Sequence, residues 1–214
     1  MFNVKHPVGE LLDWLGESLD PPRRDLLNNY ALWLVEEAMG AGGIGPAEGK
    51  RIESRHIAES LSFGCLLPHT ALKVLDIGSG VGLPGIPLAI LRPESHFVLL
   101  DRSRRRCDLS GRSIRLLGLS NVEVVCEDAS FHAHTYDAIT MRAALPIDNG
   151  LPLLKQILRS NGVAVVGWKA VDSGVTPDAR RRVVELAEEQ SLVVEFKEVP
   201  VLDSPTVLLR ITTT

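Results

Sequence analysis

Gly78, Gly80 and Gly82 occupy alternate positions directly after an apolar run, in the stretch KVLDIGSGVGLPGIP spanning 73–87. Glycines at alternate positions let a chain turn sharply after a strand and bring bare backbone against a ligand, because no Cβ stands in the way. The chemistry this suits is nucleotide binding. Asp101 closes a second apolar run, His96–Leu100, about twenty residues further on, where an acidic side chain at a strand tip can accept hydrogen bonds from both ribose hydroxyls. A strand-end aspartate alone means little; behind a glycine turn at this distance it points to a ribose.

The spacing narrows the ligand. The dinucleotide fingerprint G-x-G-x-x-G needs glycine at 83, which is Leu83 here. G-x-G-x-G, with Asp76 two positions before the first glycine, is the form seen in class I S-adenosylmethionine (SAM) methyltransferases. SAM has no pyrophosphate to seat on a helix N-terminus, so the loop has only to pass under the methionine and ribose. Gly78, Ser79, Gly80, Gly82 and Leu83 are the expected cofactor-binding residues of this turn, with Asp101 and the adjacent Arg102 at the ribose.

Leu75–Ile90 (LDIGSGVGLPGIPLAI), Arg92-Pro93 and Leu99–Asp101 resemble the RsmG (glucose-inhibited division protein B) family, whose members methylate N7 of a guanine in bacterial 16S ribosomal RNA. The L-P-G-I-P-L-A continuation is much narrower than the general methyltransferase loop. Arg55–Leu61 (RHIAESL), Met141–Ala143 and Trp168-Lys169 are similar to the family's R-H-x-x-D-S-L, S-R-A and L-K-G elements, in order. The resemblance implies SAM as cofactor, ribosomal RNA or the 30S subunit as substrate, and Arg142 at the cofactor and guanine site. The chain departs from the family pattern at three places. A glycine-rich stretch, 40–46, replaces the family's W-N…N-L-T segment; Asp128 stands where Arg is usual; and Ser204-Pro205-Thr206 lacks the family's E-R-H arginine.

These residues need an α/β framework to hold them. From Leu72 onward strand and helix alternate, which predicts a Rossmann-like, seven-stranded class I methyltransferase sheet with helices on both faces. Strands are expected at 73–77, 96–101, 122–126, 136–141, 162–168, 193–199 and 206–212, the last two as an antiparallel hairpin. Helices fill 84–91, 103–117, 147–159 and 177–190. Residues 1–64 read as an N-terminal helical extension with helices at 9–19, 22–39 and 48–63, and 65–214 as the SAM-binding domain. The second helix follows Asp20 and two prolines, an N-cap signature. The glycines of 40–46 read as a flexible joint.

In open parallel sheets ligands sit outside the carboxyl ends of the strands. Beyond the third strand come Asp128, Ala129 and Ser130, where an acidic side chain can accept from the adenine amino group; a solvated loop acid is the plain alternative. Beyond the fourth comes Arg142, a candidate catalytic residue with a planar fork of donors suited to a carboxylate, a phosphate or the O6/N7 edge of guanine; a structural salt bridge is the plain alternative. No N-P-P-Y or Pro-Cys element is present at this point. Guanine N7 has an available lone pair, so its methylation needs no base, and alignment supplies most of the rate. Lys169, ending the fifth strand, is a candidate catalytic residue that holds a phosphate near the reacting base; a solvated lysine is the plain alternative. Trp168 reads first as a core residue, and Arg55 and His56 as secondary candidates.

With 214 residues, 45% apolar and 23% charged, the chain can bury a sizeable core. It has no apolar leader and no uncharged run long enough to span a bilayer, so a cytoplasmic location is expected. Cys65, Cys107 and Cys126 show no C-x-x-C pair, so no metal site is expected, and they read as small structural hydrophobes. A net charge of −4 argues against a protein that coats RNA indiscriminately. Arginines nevertheless gather at 102–115, as either a solvated helix face or an RNA-facing patch. Two rival functions stand beside RNA methylation: a divergent methyltransferase acting on a small molecule or another RNA, and a non-catalytic SAM- or RNA-binding module.

Overall fold

The computed structural model describes residues 7–142, 144–168, 176–200, 202 and 206–213. Seven strands form one sheet: β1 (Lys73–Ile77), β2 (His96–Leu100), β3 (Val122–Val125), β4 (Tyr136–Arg142), β5 (Leu158–Trp168), β6 (Leu192–Val199) and β7 (Thr206–Thr213). Their order is β3-β2-β1-β4-β5-β7-β6, parallel from β3 to β5, with β7 antiparallel to both β5 and β6. Strand order reverses between β1 and β4, so the carboxyl ends of these two strands flank the crevice where such sheets take ligands. β5 begins at Leu158, earlier than the expected 162; its first residue pairs with Tyr136, and the register then shifts around Asn161, whose φ is 63°.

The helices are α1 (Pro7–Leu15), α2 (Pro21–Trp33), α3 (Ala58–Ser62), α4 (Gly85–Leu91), α5 (Arg104–Leu117), α6 (Ile147–Ile157) and α7 (Pro177–Glu189). Side chains alternate between the faces of β1, as a strand's pleat requires. Val74 joins a core with Leu27, Leu61, Ile86 and Leu109, while Leu75 and Ile77 join the opposite core with Leu151, Leu154 and Val183. The N-terminal helices therefore share one hydrophobic core with α4, α5 and a full face of the sheet.

Asp20 caps α2, accepting from Arg23 N at 3.0 Å, with Pro21 and Pro22 in the first turn, where their missing N–H groups cost nothing. The helix runs on through a wide, π-helical turn at Leu34–Ala38. The expected helix 48–63 is broken into a 3₁₀ turn (Pro46–Arg51), a π-helical turn (Ile52–Ile57), α3, and a second 3₁₀ turn (Phe63–Leu66). The glycine stretch after Met39 lies packed against the β1–α4 turn. Gly43 N donates to Ala38 O at 2.7 Å, and a Cβ on Gly43 would strike the Val81 side chain. Tyr30, wholly buried, adds a second tie by donating its hydroxyl to Val81 O at 3.0 Å.

Candidate active site

The glycine turn is fastened to the end of β2, with Gly78 N and Ser79 N donating to Leu100 O at 2.7 and 3.1 Å. Gly78, Gly80 and Gly82 all have positive φ, at 66°, 61° and 104°. Their surroundings differ. A Cβ on Gly78 would collide with Ala144, and one on Gly82 with Ile86 and, at 3.2 Å, with the Tyr30 hydroxyl. A Cβ on Gly80 would meet only the turn's own Gly78 carbonyl, at 4.0 Å. Two glycines thus permit close packing, and Gly80 leaves open space where a ligand can lie.

Asp76 braces the turn from below. It is fully buried, with Oδ2 accepting from Gly85 N and Oδ1 from Thr140 Oγ1, both at 2.9 Å. Burial pushes its carboxyl up to about 7, against the lowering effect of those two bonds. Asp101 is 4% exposed; its Oδ2 accepts from Gly80 N at 3.0 Å and its Oδ1 from Ser103 N at 2.8 Å. Each of these oxygens has a second lone pair, which leaves acceptor capacity for two ribose hydroxyls.

A cleft of about 460 Å³ opens over the turn. Gly78, Ser79, Gly80 and Leu83 form its floor, Asp101 and Arg102 one wall, and Asp128 and Ala129 its far end. Arg142 lines the side toward β4. Gly82 and Ser130 stand outside this lining. Gly82 faces Tyr30 and Ile86, and Ser130 gives both N and Oγ to Asp128 Oδ1, at 3.0 and 2.7 Å. Those two bonds hold the Asp128 carboxyl below its usual range and cap the turn Ala129–Phe131. Lys169 lies outside the described residues. Trp168 is half-buried, 5.6 Å from the Phe196 ring, and lines a separate hollow with Val166 and Leu209.

At the β4 side the N-terminal region supplies groups that sequence reasoning named only in passing or missed. Arg142 Nη1 lies 3.5 Å from Glu59 Oε2 and 3.4 Å from His56 Nδ1. His56 Nε2 meets Glu48 Oε2 at 3.1 Å, and Glu48 Oε1 accepts from Arg55 at the same distance. Burial, then the Arg142 charge, push the His56 ring down to about 4, against the pull of Glu48. The imidazole is therefore neutral, and the network assigns its tautomer: Nε2–H donates to Glu48, and bare Nδ1 accepts from Arg142. Glu48, His56, Gly43, Ile44 and Gly45 all line the cleft. His56 and Glu59, three apart, share a helix face, a signal visible in sequence; that Glu48 would meet them is not.

The family profile described as rRNA small subunit methyltransferase G matches residues 23–199. The chain belongs to this family. A family member from Mycobacterium marinum, named ribosomal RNA small subunit methyltransferase G, is 38% identical over 170 residues, covering 75% of this chain and 73% of that protein. Its counterpart from Laribacter hongkongensis is 33% identical over 215 residues, covering 98% and 99%. Among solved structures, M. jannaschii TYW2 in complex with AdoMet shares the fold, with a TM-score of 0.61, 15% identity, and coverage of 74% of this chain and 76% of that one.

As a member of the methyltransferase G family the chain is a SAM-dependent methyltransferase, and the cleft fits the cofactor. Open space over Gly80 suits the methionine portion, and spare acceptor positions on Asp101 suit a ribose. The Asp128–Ala129 end suits an adenine amino group. When bound, SAM supplies an electrophilic methyl group on a positively charged sulfur.

Proposed function

We propose that this protein methylates N7 of a guanine in bacterial small-subunit ribosomal RNA. The observation that carries the reading is the setting of Arg142. Both of its contacts fall on Nη1, and among the described residues Nε and Nη2 make none, so part of the planar fork is free at the cleft. A fork of donors matches the O6 edge of guanine beside N7. The neighbouring His56 is neutral and committed to Glu48 and Arg142. That environment suits an acceptor whose nitrogen already carries a lone pair and gives up no proton before attack. Arg142 orients, and the walls of the cleft exclude water; proximity and alignment supply the rate.

Gly78, Ser79, Gly80, Leu83, Asp101, Arg102, Asp128, Ala129 and Arg142 are the proposed cofactor residues, with Gly82 and Ser130 acting through the turns they shape. Lys169 is retained as a proposed phosphate contact. The test is transfer of labelled methyl from SAM to purified 30S subunits and to deproteinised 16S RNA, followed by borohydride and aniline cleavage, which breaks the strand at N7-methylguanine. A single new cleavage site is expected. Transfer with no such site would move the acceptor to another atom, and no transfer to either RNA form would remove the reading.

A further inference from the structure

Five arginines and one aspartate are the only charged residues of α5, in a chain whose net charge is −4. A merely solvated helix face usually mixes signs at i,i+4 spacing, as Arg104 and Asp108 do at 3.2 Å. Arg112 and Arg106 meet carboxylates from elsewhere in the chain, Glu37 at 2.8 Å and Asp101 at 3.7 Å. Among the described residues Arg105 and Arg115 are exposed and meet no carboxylate, and Arg102, 83% exposed, comes no closer than 3.9 Å to Asp128. Arg104, Arg112 and Arg115 wall a second hollow, about 380 Å³, between α5 and the end of β3. Arg102 and Arg106, at the N-terminal end of α5, line the cofactor cleft itself.

Phe131, in the turn that follows Asp128 and Ala129 at the end of the cleft, is 82% exposed. Its turn is secured on both sides. Asp128 caps it, and His132, buried, bridges Glu127 and the Tyr136 hydroxyl, the latter at 2.7 Å. A large apolar ring held outward from a fastened turn, together with exposed arginines, is the combination that single-stranded RNA uses: phosphates on the cations and an unstacked base on the ring. The ion pairs of Arg104 with Asp108 and of Arg112 with Glu37 are exposed, and such pairs contribute little and can give way to phosphate.

We propose that the outer face of α5 together with Phe131 is the surface on which single-stranded ribosomal RNA docks, its backbone on Arg104, Arg112 and Arg115 and one base stacked on Phe131. The proposal rests on the RNA substrate proposed above and adds where that RNA lies. It runs along the β3–β2 side of the cleft, so that the target base enters across the ribose end rather than over β6 and β7.

The experiment is filter binding of deproteinised 16S RNA over a range of salt concentrations, with SAM affinity measured by calorimetry as a control. Arg104→Ala/Arg115→Ala should weaken RNA binding about tenfold or more and lower the salt slope by about 1.5, since each lost phosphate contact removes roughly 0.7–0.9. Arg104→Lys/Arg115→Lys should keep the slope. Phe131→Ala should weaken binding roughly tenfold with the slope unchanged, and Phe131→Trp should restore it. SAM affinity should not move in any of them. Unchanged RNA affinity and slope in both alanine variants, with the unaltered protein still methylating RNA, would overturn the docking surface alone. Loss of binding confined to intact 30S particles would overturn it in favour of an acidic protein partner. No methylation of either RNA form by the unaltered protein would instead remove the substrate reading.

Discussion

Glu59 Oε2 lies 3.5 Å from Arg142 Nη1, with the two side chains only 11% and 16% exposed. The guanidinium at the end of β4 is thus set in place by a residue from α3. The N-terminal helices build the site as well as covering one face of the sheet.

Arg142→Ala would leave Glu59 without its cation, and a buried polar group left unpaired costs about 1–3 kcal/mol. Early melting of that variant is therefore expected whatever Arg142 does in the reaction. Arg142→Lys separates the two roles: it keeps a charge for Glu59 but lacks the planar fork. Single-turnover methylation of 30S particles should fall tenfold or more in the Lys variant while its melting temperature stays near that of the unaltered protein. Near-normal turnover in a folded Lys variant would rule out the fork as a guanine contact.

Most of the framework was legible because its signals are local. The glycine turn, Asp101 and the alternation of apolar runs each sit within a few residues of the structure they specify, and six of the seven strands appear within a residue of the expected bounds, with β5 starting four residues early. The N-terminal region was less legible, because what shapes it is distant in sequence. Tyr30 bonds to Val81, Gly43 packs on Val81, and Arg142 reaches back to His56 and Glu59. A run of small residues such as 40–46 looks like a joint until the partner that demands smallness is known. The cysteines differ in setting for the same reason: Cys107, in the first turn of α5, is buried and donates to Asp101 O at 3.1 Å, whereas Cys126, past the end of β3, is exposed. Burial pushes the Cys107 thiol up to about 12, so it stays protonated.

Asp101→Ala should lower SAM affinity by tenfold or more. Two ribose contacts at about 0.5–1.5 kcal/mol each are removed, and the turn loses its tie at Gly80 N. Asp101→Asn should fall between, since an amide cannot accept from Gly80 N and Ser103 N with both ends. Calorimetry on folded variants decides it; unchanged affinity in Asp101→Ala would take the ribose away from this residue.

Acid should loosen the site through His56. Its folded-state value, about 4, lies below the ordinary 6.5, so between these values the unfolded chain binds more protons than the folded one. The stability contributed by the neutral ring is fully present above about pH 6.5 and is lost progressively as pH falls toward 4, because the unfolded chain takes up the proton that the folded ring refuses; only near pH 4 does a proton compete with Arg142 for Nδ1. Urea unfolding from pH 7 to pH 4.5 should show a shallower loss in His56→Gln than in the unaltered protein. Parallel curves would mean the imidazole is not held neutral.

The glycine turn offers the sharpest separation of fold from cofactor binding. Gly78 and Gly80 have nearly the same φ, so an alanine at either pays the same left-handed backbone cost, roughly 1–2 kcal/mol. Only Gly78→Ala adds a collision with Ala144; the Cβ of Gly80→Ala points into the cleft and meets nothing nearer than 4.0 Å. Gly78→Ala should therefore melt markedly lower than Gly80→Ala, whereas Gly80→Ala should show the greater loss of SAM affinity for its loss of stability. Gly80→Val should extend that loss, because a branched side chain fills the space the methionine portion needs. Thermal melts and calorimetry on the same preparations give both quantities. Gly80→Val binding SAM as tightly as the unaltered protein would show that the cofactor does not cross this turn.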